Sequence, residues 1–190
     1  MLRHEDRTDD CSFFAPLTKQ GLENSIKLKD KIKEYKINKI YSSPFIRTLQ
    51  TIYPYIKEND LKVNLEYGLE EINHEDIIPK KAAGINLPEY IAEGFNYNPD
   101  YKTVIKAESI VYPEKINDVK TRVMRTIRQI INENGNTNNN ILLVTHQGVC
   151  TSILERIKKI TKMDINTEEY DKGKLSLILD ENKWDYKQLN

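Results

Sequence analysis

Three short polar segments of this sequence hold the residue types suited to gripping a phosphoryl group. The first is Arg3-His4-Glu5-Asp6-Arg7. The second runs Tyr41-Ser42-Ser43-Pro44-Phe45-Ile46-Arg47-Thr48-Leu49-Gln50-Thr51, and the third is Val144-Thr145-His146-Gln147-Gly148. Guanidinium groups present planar forks of donors that match phosphate oxygens, and Arg3, Arg7 and Arg47 supply three of them. His4 and His146 add two imidazoles. Each feature alone has an ordinary explanation. A histidine after a strand usually makes a structural hydrogen bond, Ser-Ser-Pro is a common helix start, and a single arginine is usually a surface charge. The three segments gain meaning from occurring together, in order, at corresponding places in the chain. His74, within the acidic stretch Glu70 to Asp76, reads as a solvated loop residue.

Those places are set by the surrounding periodicity. Leu22, Ile26, Lys29, Ile32 and Tyr35 recur at helical spacing, so 19–36 is predicted as an amphipathic helix with these residues on its inner face. Ile40-Tyr41 forms a short strand, and 46–57 a second helix that Pro54 should bend. Lys62–Leu65 reads as a weak strand. Ile116, Val119, Val123, Ile127, Ile130 and Ile131 mark a long helix. Asn132–Asn140 is rich in asparagine and is predicted as a surface loop that buries nothing. Ile141–Thr145 is wholly apolar until its last residue, as buried parallel strands are. A helix over 148–160 follows, with Ile153, Leu154 and Ile157 inward. Two strands, 175–179 and 184–188, close the chain as a hairpin. Alternating strands and helices predict an α/β fold, a three-layer α/β/α sandwich with a mostly parallel central sheet. In such sheets ligands bind beyond the carboxyl ends of the strands, where the three segments begin.

Taken together, these motifs resemble the histidine phosphatase superfamily, also called phosphoglycerate mutase-like. Arg3-His4-Glu5 is similar to its R-H-G motif, and Ser42 to Thr51 follows its S-S-P-x-x-R-x-x-Q-T segment. Thr145-His146 matches its strand-ending T/S-H, and Pro16-Leu17-Thr18-Lys19-Gln20-Gly21 its P-L-T-x-x-G helix entry. The resemblance implies that His4 is a nucleophile forming phosphohistidine. It also implies that Arg3, Arg7, Arg47 and His146 hold the phosphoryl oxygens, and that the acid is Glu71, with Glu70 as the alternative. No metal and no cofactor are expected, because arginines take the role of a divalent ion. Arg7 and the segment Ile85 to Tyr101 look like the branch holding the suppressor of T-cell receptor signalling phosphatases and ecdysteroid-phosphate phosphatase. That branch contains dimers, so a homodimer is compatible with it.

Two departures keep other readings open. Glu5 stands where the family has glycine, and a carboxylate facing a phosphate dianion would repel it. Only Met1 and Leu2 precede Arg3, which shortens the first strand. A catalytically weak phospholigand-binding member is therefore a second reading, and a phosphoglycerate mutase a third.

Composition bounds the rest. The 190 residues suit one domain, 1–190, with residues 73–111 expected as an insertion capping the site. Lysine plus arginine number 29, as do aspartate plus glutamate, which argues against a general nucleic-acid partner. No apolar run approaches the roughly 20 residues of a membrane span, so no membrane partner is expected. Cys11 and Cys150 form no disulfide framework or zinc pattern and read as small packed residues, favouring a reducing cytoplasmic setting. The expected partner is a phosphorylated small molecule or phosphopeptide, and tyrosines such as Tyr90, Tyr97, Tyr101 and Tyr112 suit either an apolar body or packing.

Overall fold

Side chains alternate faces along a strand, and the central strands here are apolar on both, so the sheet must be covered on both sides. The computed structural model describes residues 1–135, 137–162, 164, 171–180 and 184–189. Its strands are β1 (Leu2–Arg3), β2 (Lys39–Ser42), β3 (Val63–Leu65), β4 (Ile141–Thr145), β5 (Leu175–Asp180) and β6 (Trp184–Leu189). They form one sheet in the order β3-β2-β4-β1-β5-β6. The first four in that order run parallel, and the β5–β6 hairpin is added antiparallel beside β1.

The main helices are α1 (Lys19–Lys33), α2 (Ile46–Asn59), α4 (Ile116–Asn134) and α5 (Gln147–Thr161), with the short α3 over Glu89–Glu93. Helices α1 and α2 bury Leu28, Ile32, Leu49, Ile52 and Ile56 on the face presenting Leu2, Ile40, Leu142 and Val144. On the other face, Val119, Val123, Ile127 and Ile130 of α4 and Ile153, Leu154 and Ile157 of α5 pack with Tyr41. The alternation of Ile40 with Tyr41 is thus the division between two cores. No described helix is long and apolar enough to cross a membrane.

Helix α1 differs from its predicted face. Leu22 and Ile26 are exposed, while Gly21, Ser25, Leu28 and Ile32 are buried. The rotation is set by a close approach at Gly21, where an added Cβ would lie 2.1 Å from the carbonyl oxygen of Asp6. Thr18 caps the helix by accepting from the Gly21 amide, and its hydroxyl donates to Asp6 at 2.9 Å. Docking against the N-terminal segment therefore overrides the apolar pattern. The asparagine-rich stretch also differs. Residues 132–134 belong to α4, and buried Asn134 donates to the Tyr41 hydroxyl at 3.0 Å.

Strand β1 is short but paired on both sides. Arg3 makes two further backbone bonds there, donating its N–H to Lys174 O and accepting at its carbonyl from Gly173 N–H, both 3.2 Å. Leu2 is opposite Val144, and Ser42 is opposite Val144 from the other side. The carboxyl ends of β1, β2 and β4 are consequently level.

Candidate active site

His4, Ser43 and His146 are the first residues beyond those three level strand ends. Backbone bonds from His4 N–H to Thr145 O and from Ser43 N–H to Val144 O, each 3.0 Å, continue the pairing past the ladder. The His4 and His146 rings meet edge to face with centroids 5.1 Å apart. A cavity of about 430 Å³ opens over this point, lined by Arg3, His4, Arg7, Arg47 and Glu71 among others. All the predicted site residues except His146 line it. His146 is wholly buried behind His4, with Phe45 on its other side at 5.0 Å.

The tautomer of His4 follows from its partner. Nδ1 lies 2.7 Å from the Glu5 carbonyl oxygen, which can only accept, so Nδ1 carries the proton. Nε2 is left with its lone pair. Burial, and then the field of Arg47, push the imidazole pKa down to about 3, so the ring is neutral at neutral pH. His146 is held well below its usual value by burial and by Arg47. Its Nε2 is 2.8 Å from Ser43 Oγ, and its Nδ1 is buried without a hydrogen-bond partner.

Arg47 is 2% exposed, an unusual place for a guanidinium. One terminal nitrogen donates to Ser12 O at 2.9 Å, the group lies 4.4 Å over the Phe45 ring, and Nε has no partner. Burial pushes its pKa down to about 10, opposed by the attraction of Glu71. A bound anion would relieve that desolvation. Arg7 is held by a 2.7 Å bond to Thr8 O.

The polar positions of the second segment each have a task. Ser43 meets His146, and Gln50 accepts from the Leu17 amide at 2.7 Å. Thr51 accepts from the Glu5 amide at 3.0 Å and donates to Arg47 O at 2.7 Å. The segment thereby clamps the chain around His4 to the helix that supplies Arg47.

Glu71 and Glu70 point differently. Glu71 lines the cavity, and Glu70 does not. Glu71 Oε1 accepts from the Ile72 amide at 3.0 Å, and an added Cβ at Gly148 would meet that oxygen at 2.7 Å. Glycine at the start of α5 thus makes room for the carboxyl. Burial raises the Glu71 pKa, while that amide, Arg47 and Arg3 pull the other way. Glu70 is 0% exposed, is pushed up to about 8 by burial, and accepts from Asn73 at 3.5 Å.

Sequence reasoning missed what fixes this acidic loop. Arg122 of α4 forms a bidentate pair with Glu114 at 2.8 and 2.7 Å. It also donates to the carbonyls of Gly68, Glu70 and Glu71 at 3.1, 3.0 and 3.4 Å. Thr145 Oγ1 donates to Leu69 O at 2.7 Å. An arginine inside the helical pattern at position 122, close to Glu114, was the available signal.

Glu5 does not face the cavity. Its carboxylate accepts from Asn24 at 3.3 Å and lies against Gly173, where an added Cβ would meet it at 1.9 Å. Of residues 73–111, only Asp76 and Ile77 line the cavity. Tyr90 is exposed, Tyr97 pairs with Glu89, Tyr101 donates to Glu66 at 2.6 Å, and Tyr112 donates to Ile78 O at 3.0 Å. These tyrosines are packing and surface residues. His74 is partly exposed with Nδ1 3.2 Å from Asp76, as a solvated loop residue should be. Cys11 lines the cavity and Cys150 is buried, and neither is in a disulfide.

Comparison with known proteins gives this geometry a family. The model of the histidine phosphatase superfamily (branch 1) matches residues 14–190, beginning after the His4 segment. Human Ubiquitin-associated and SH3 domain-containing protein B is 28% identical over 165 residues, covering 79% of this chain and 24% of that protein. The chain therefore spans about a quarter of the length of that relative. A 2,3-bisphosphoglycerate-dependent phosphoglycerate mutase of Methanococcus vannielii is 32% identical over 89 residues, 47% of this chain and 34% of that one. Among solved structures, the ecdysone phosphate phosphatase of Bombix mori aligns with a TM-score of 0.74 at 14% identity. That alignment covers 97% of this chain and 89% of that one. The phosphoglycerate mutase of Bacillus anthracis aligns at 0.68 and 18%, over 99% and 90% of the two chains. The human relative and the Bombix mori fold lie in the branch that Arg7 and the 85–101 segment resemble. With its matched span, its fold and its motifs in agreement, the chain belongs to the histidine phosphatase superfamily, branch 1.

Proposed function

We propose that this chain hydrolyses phosphate monoesters through a phosphohistidine on His4, without a metal ion. The observation that carries the reading is the bond from His4 Nδ1–H to the Glu5 carbonyl, which directs a neutral Nε2 lone pair into a cavity bearing three arginines. Nε2 attacks phosphorus as the P–O bond to the leaving group breaks. Its electron pair stays on oxygen, and Glu71 delivers the proton there. Water then attacks the phosphohistidine and Glu71 takes the water's proton. The P–N bond breaks back onto Nε2, and phosphate leaves. Arg3, Arg7 and Arg47 balance the charge on the phosphoryl oxygens in both steps.

His146 supports the cradle from behind, through its edge-to-face contact with the His4 ring. Ser43 Oγ accepts from Phe45 N–H at 3.4 Å and can donate its own hydrogen to His146 Nε2, leaving the proton on Nδ1. That Nδ1 is buried without a partner among the described residues, behind His4 and not in the cavity wall. A phosphorylated small molecule or a phosphopeptide both fit this chemistry. The phospholigand-binding reading loses its main support, because the Glu5 carboxylate is directed at Asn24 and Gly173.

Turnover of p-nitrophenyl phosphate in excess EDTA tests the proposal. Undiminished turnover, lost at least about a thousandfold in His4→Ala, is expected. Dependence on added magnesium, or full activity in His4→Ala, overturns it.

A further inference from the structure

The cavity is larger than a phosphoryl group needs, and its outer part has a different character from its floor. Beyond the arginines, the walls are the apolar side chains of Ile72, Ile77 and Ile116, with Thr151 and the carboxylates Asp76 and Glu155. Ile77 and Ile116 are 37% and 54% exposed, so apolar surface is left open at the mouth. Thr151 and Glu155 lie one turn apart on α5, on the same face as Gly148. The described lining residues include no cation other than Arg3, Arg7 and Arg47. Lys120 of α4 is paired with Glu155 at 2.7 Å.

We infer that the alcohol portion of the substrate is an apolar group carrying no negative charge, and that Asp76 and Glu155 select against anionic substituents. This rests on the phosphomonoesterase reading and adds to it the class of leaving group. Phosphate is drawn to the arginine floor by charge. A second phosphate or a carboxylate at the mouth meets two carboxylates there, and Lys120 is already engaged by one of them. An uncharged body gains contact with the three isoleucines, and an ammonium group gains contact with the carboxylates. The mouth is thereby unlike one that holds a substrate phosphorylated at one end and carboxylated at the other.

The test uses phosphonates, whose P–C bond cannot be hydrolysed, so binding is read without turnover. 4-Methylbenzyl-, 4-(aminomethyl)benzyl- and 4-carboxybenzylphosphonate share one shape and differ in distal charge. By calorimetry, the first two are expected to bind wild-type protein about tenfold tighter than the carboxylate. In the Asp76→Asn, Glu155→Gln double variant, with Lys120 released, that gap should close to about threefold or less. Equal or tighter binding of the carboxybenzyl compound, or an unchanged gap in the double variant, overturns the inference and leaves the phosphatase reading intact. Failure of all three phosphonates to bind overturns the phosphoryl cradle itself, and this inference with it.

Discussion

At the scale of single residues, Glu70 and Glu71 are neighbours in sequence with unlike surroundings. Glu71 opens onto the cavity beside Gly148, while Glu70 is enclosed and accepts a long hydrogen bond from Asn73. A general acid matters in proportion to how badly the leaving group needs a proton. Glu71→Gln is therefore expected to lower kcat on an alkyl phosphate by roughly a hundredfold or more, and on p-nitrophenyl phosphate much less. Equal losses on both substrates would remove Glu71 from the acid role. The choice between the two glutamates was not decidable from residue types, because both follow Leu69 and both become buried. That Arg3, His4, Arg7 and Arg47 would lie around one cavity was legible, since charged residues just beyond strand ends converge there. The direction of Glu5 was not legible. It depends on Asn24 from α1 and on Gly173 at the far end of the chain, which only the folded backbone brings alongside.

At the scale of elements, the loop carrying Glu71 is held from α4 and β4 as well as by its own hydrogen bonds. Arg122 gives its fork to Glu114 and its remaining donors to three loop carbonyls. Removing one partner of such a buried pair leaves the other charge uncompensated, at a cost of about 3–5 kcal/mol. Arg122→Met should lower stability by about that amount in urea unfolding. The protein that stays folded should lose activity on alkyl phosphates more than on p-nitrophenyl phosphate, because Glu71 is displaced and His4 is not. A uniform loss on both substrates would make Arg122 a purely structural residue. Helix α1 teaches a related point. Its leucine and isoleucine spacing indicated one face, and the docking of Gly21 on Asp6 selected another. The strands β2 and β4 were read correctly, because their alternation serves two cores and admits no rotation.

At the scale of the whole molecule, enclosing these groups couples folding to pH. Glu70 has its pKa raised to about 8 from an ordinary value of 4.5. The folded state therefore holds this proton where the unfolded chain has released it. That contribution is complete below pH 4.5 and is lost as pH rises through about 8. His4 works in the other direction, with a folded pKa of about 3 against an ordinary 6.5, and its contribution is lost as pH falls from 6.5. Comparing wild type with Glu70→Gln isolates the first effect. The stability of wild type relative to the variant should fall between pH 5 and 8, by at most about 1.4 kcal/mol per unit. Parallel stability curves by urea unfolding would mean that Glu70 titrates normally. The sandwich and its parallel sheet were evident from alternating periodicity. The division of labour within residues 72–115 was not, because irregular backbone has no period to read, and only Ile72, Asp76 and Ile77 of that stretch reach the cavity.

The most direct test of the phosphohistidine on His4 is to trap it. Protein mixed with phosphate-labelled substrate in EDTA is quenched in base within one turnover, digested, and the labelled peptide identified. The expected result is label on His4, stable in base, lost in acid and absent from His4→Ala. Label on another residue, or turnover with no trapped label under conditions where hydrolysis of the intermediate limits the rate, would contradict it.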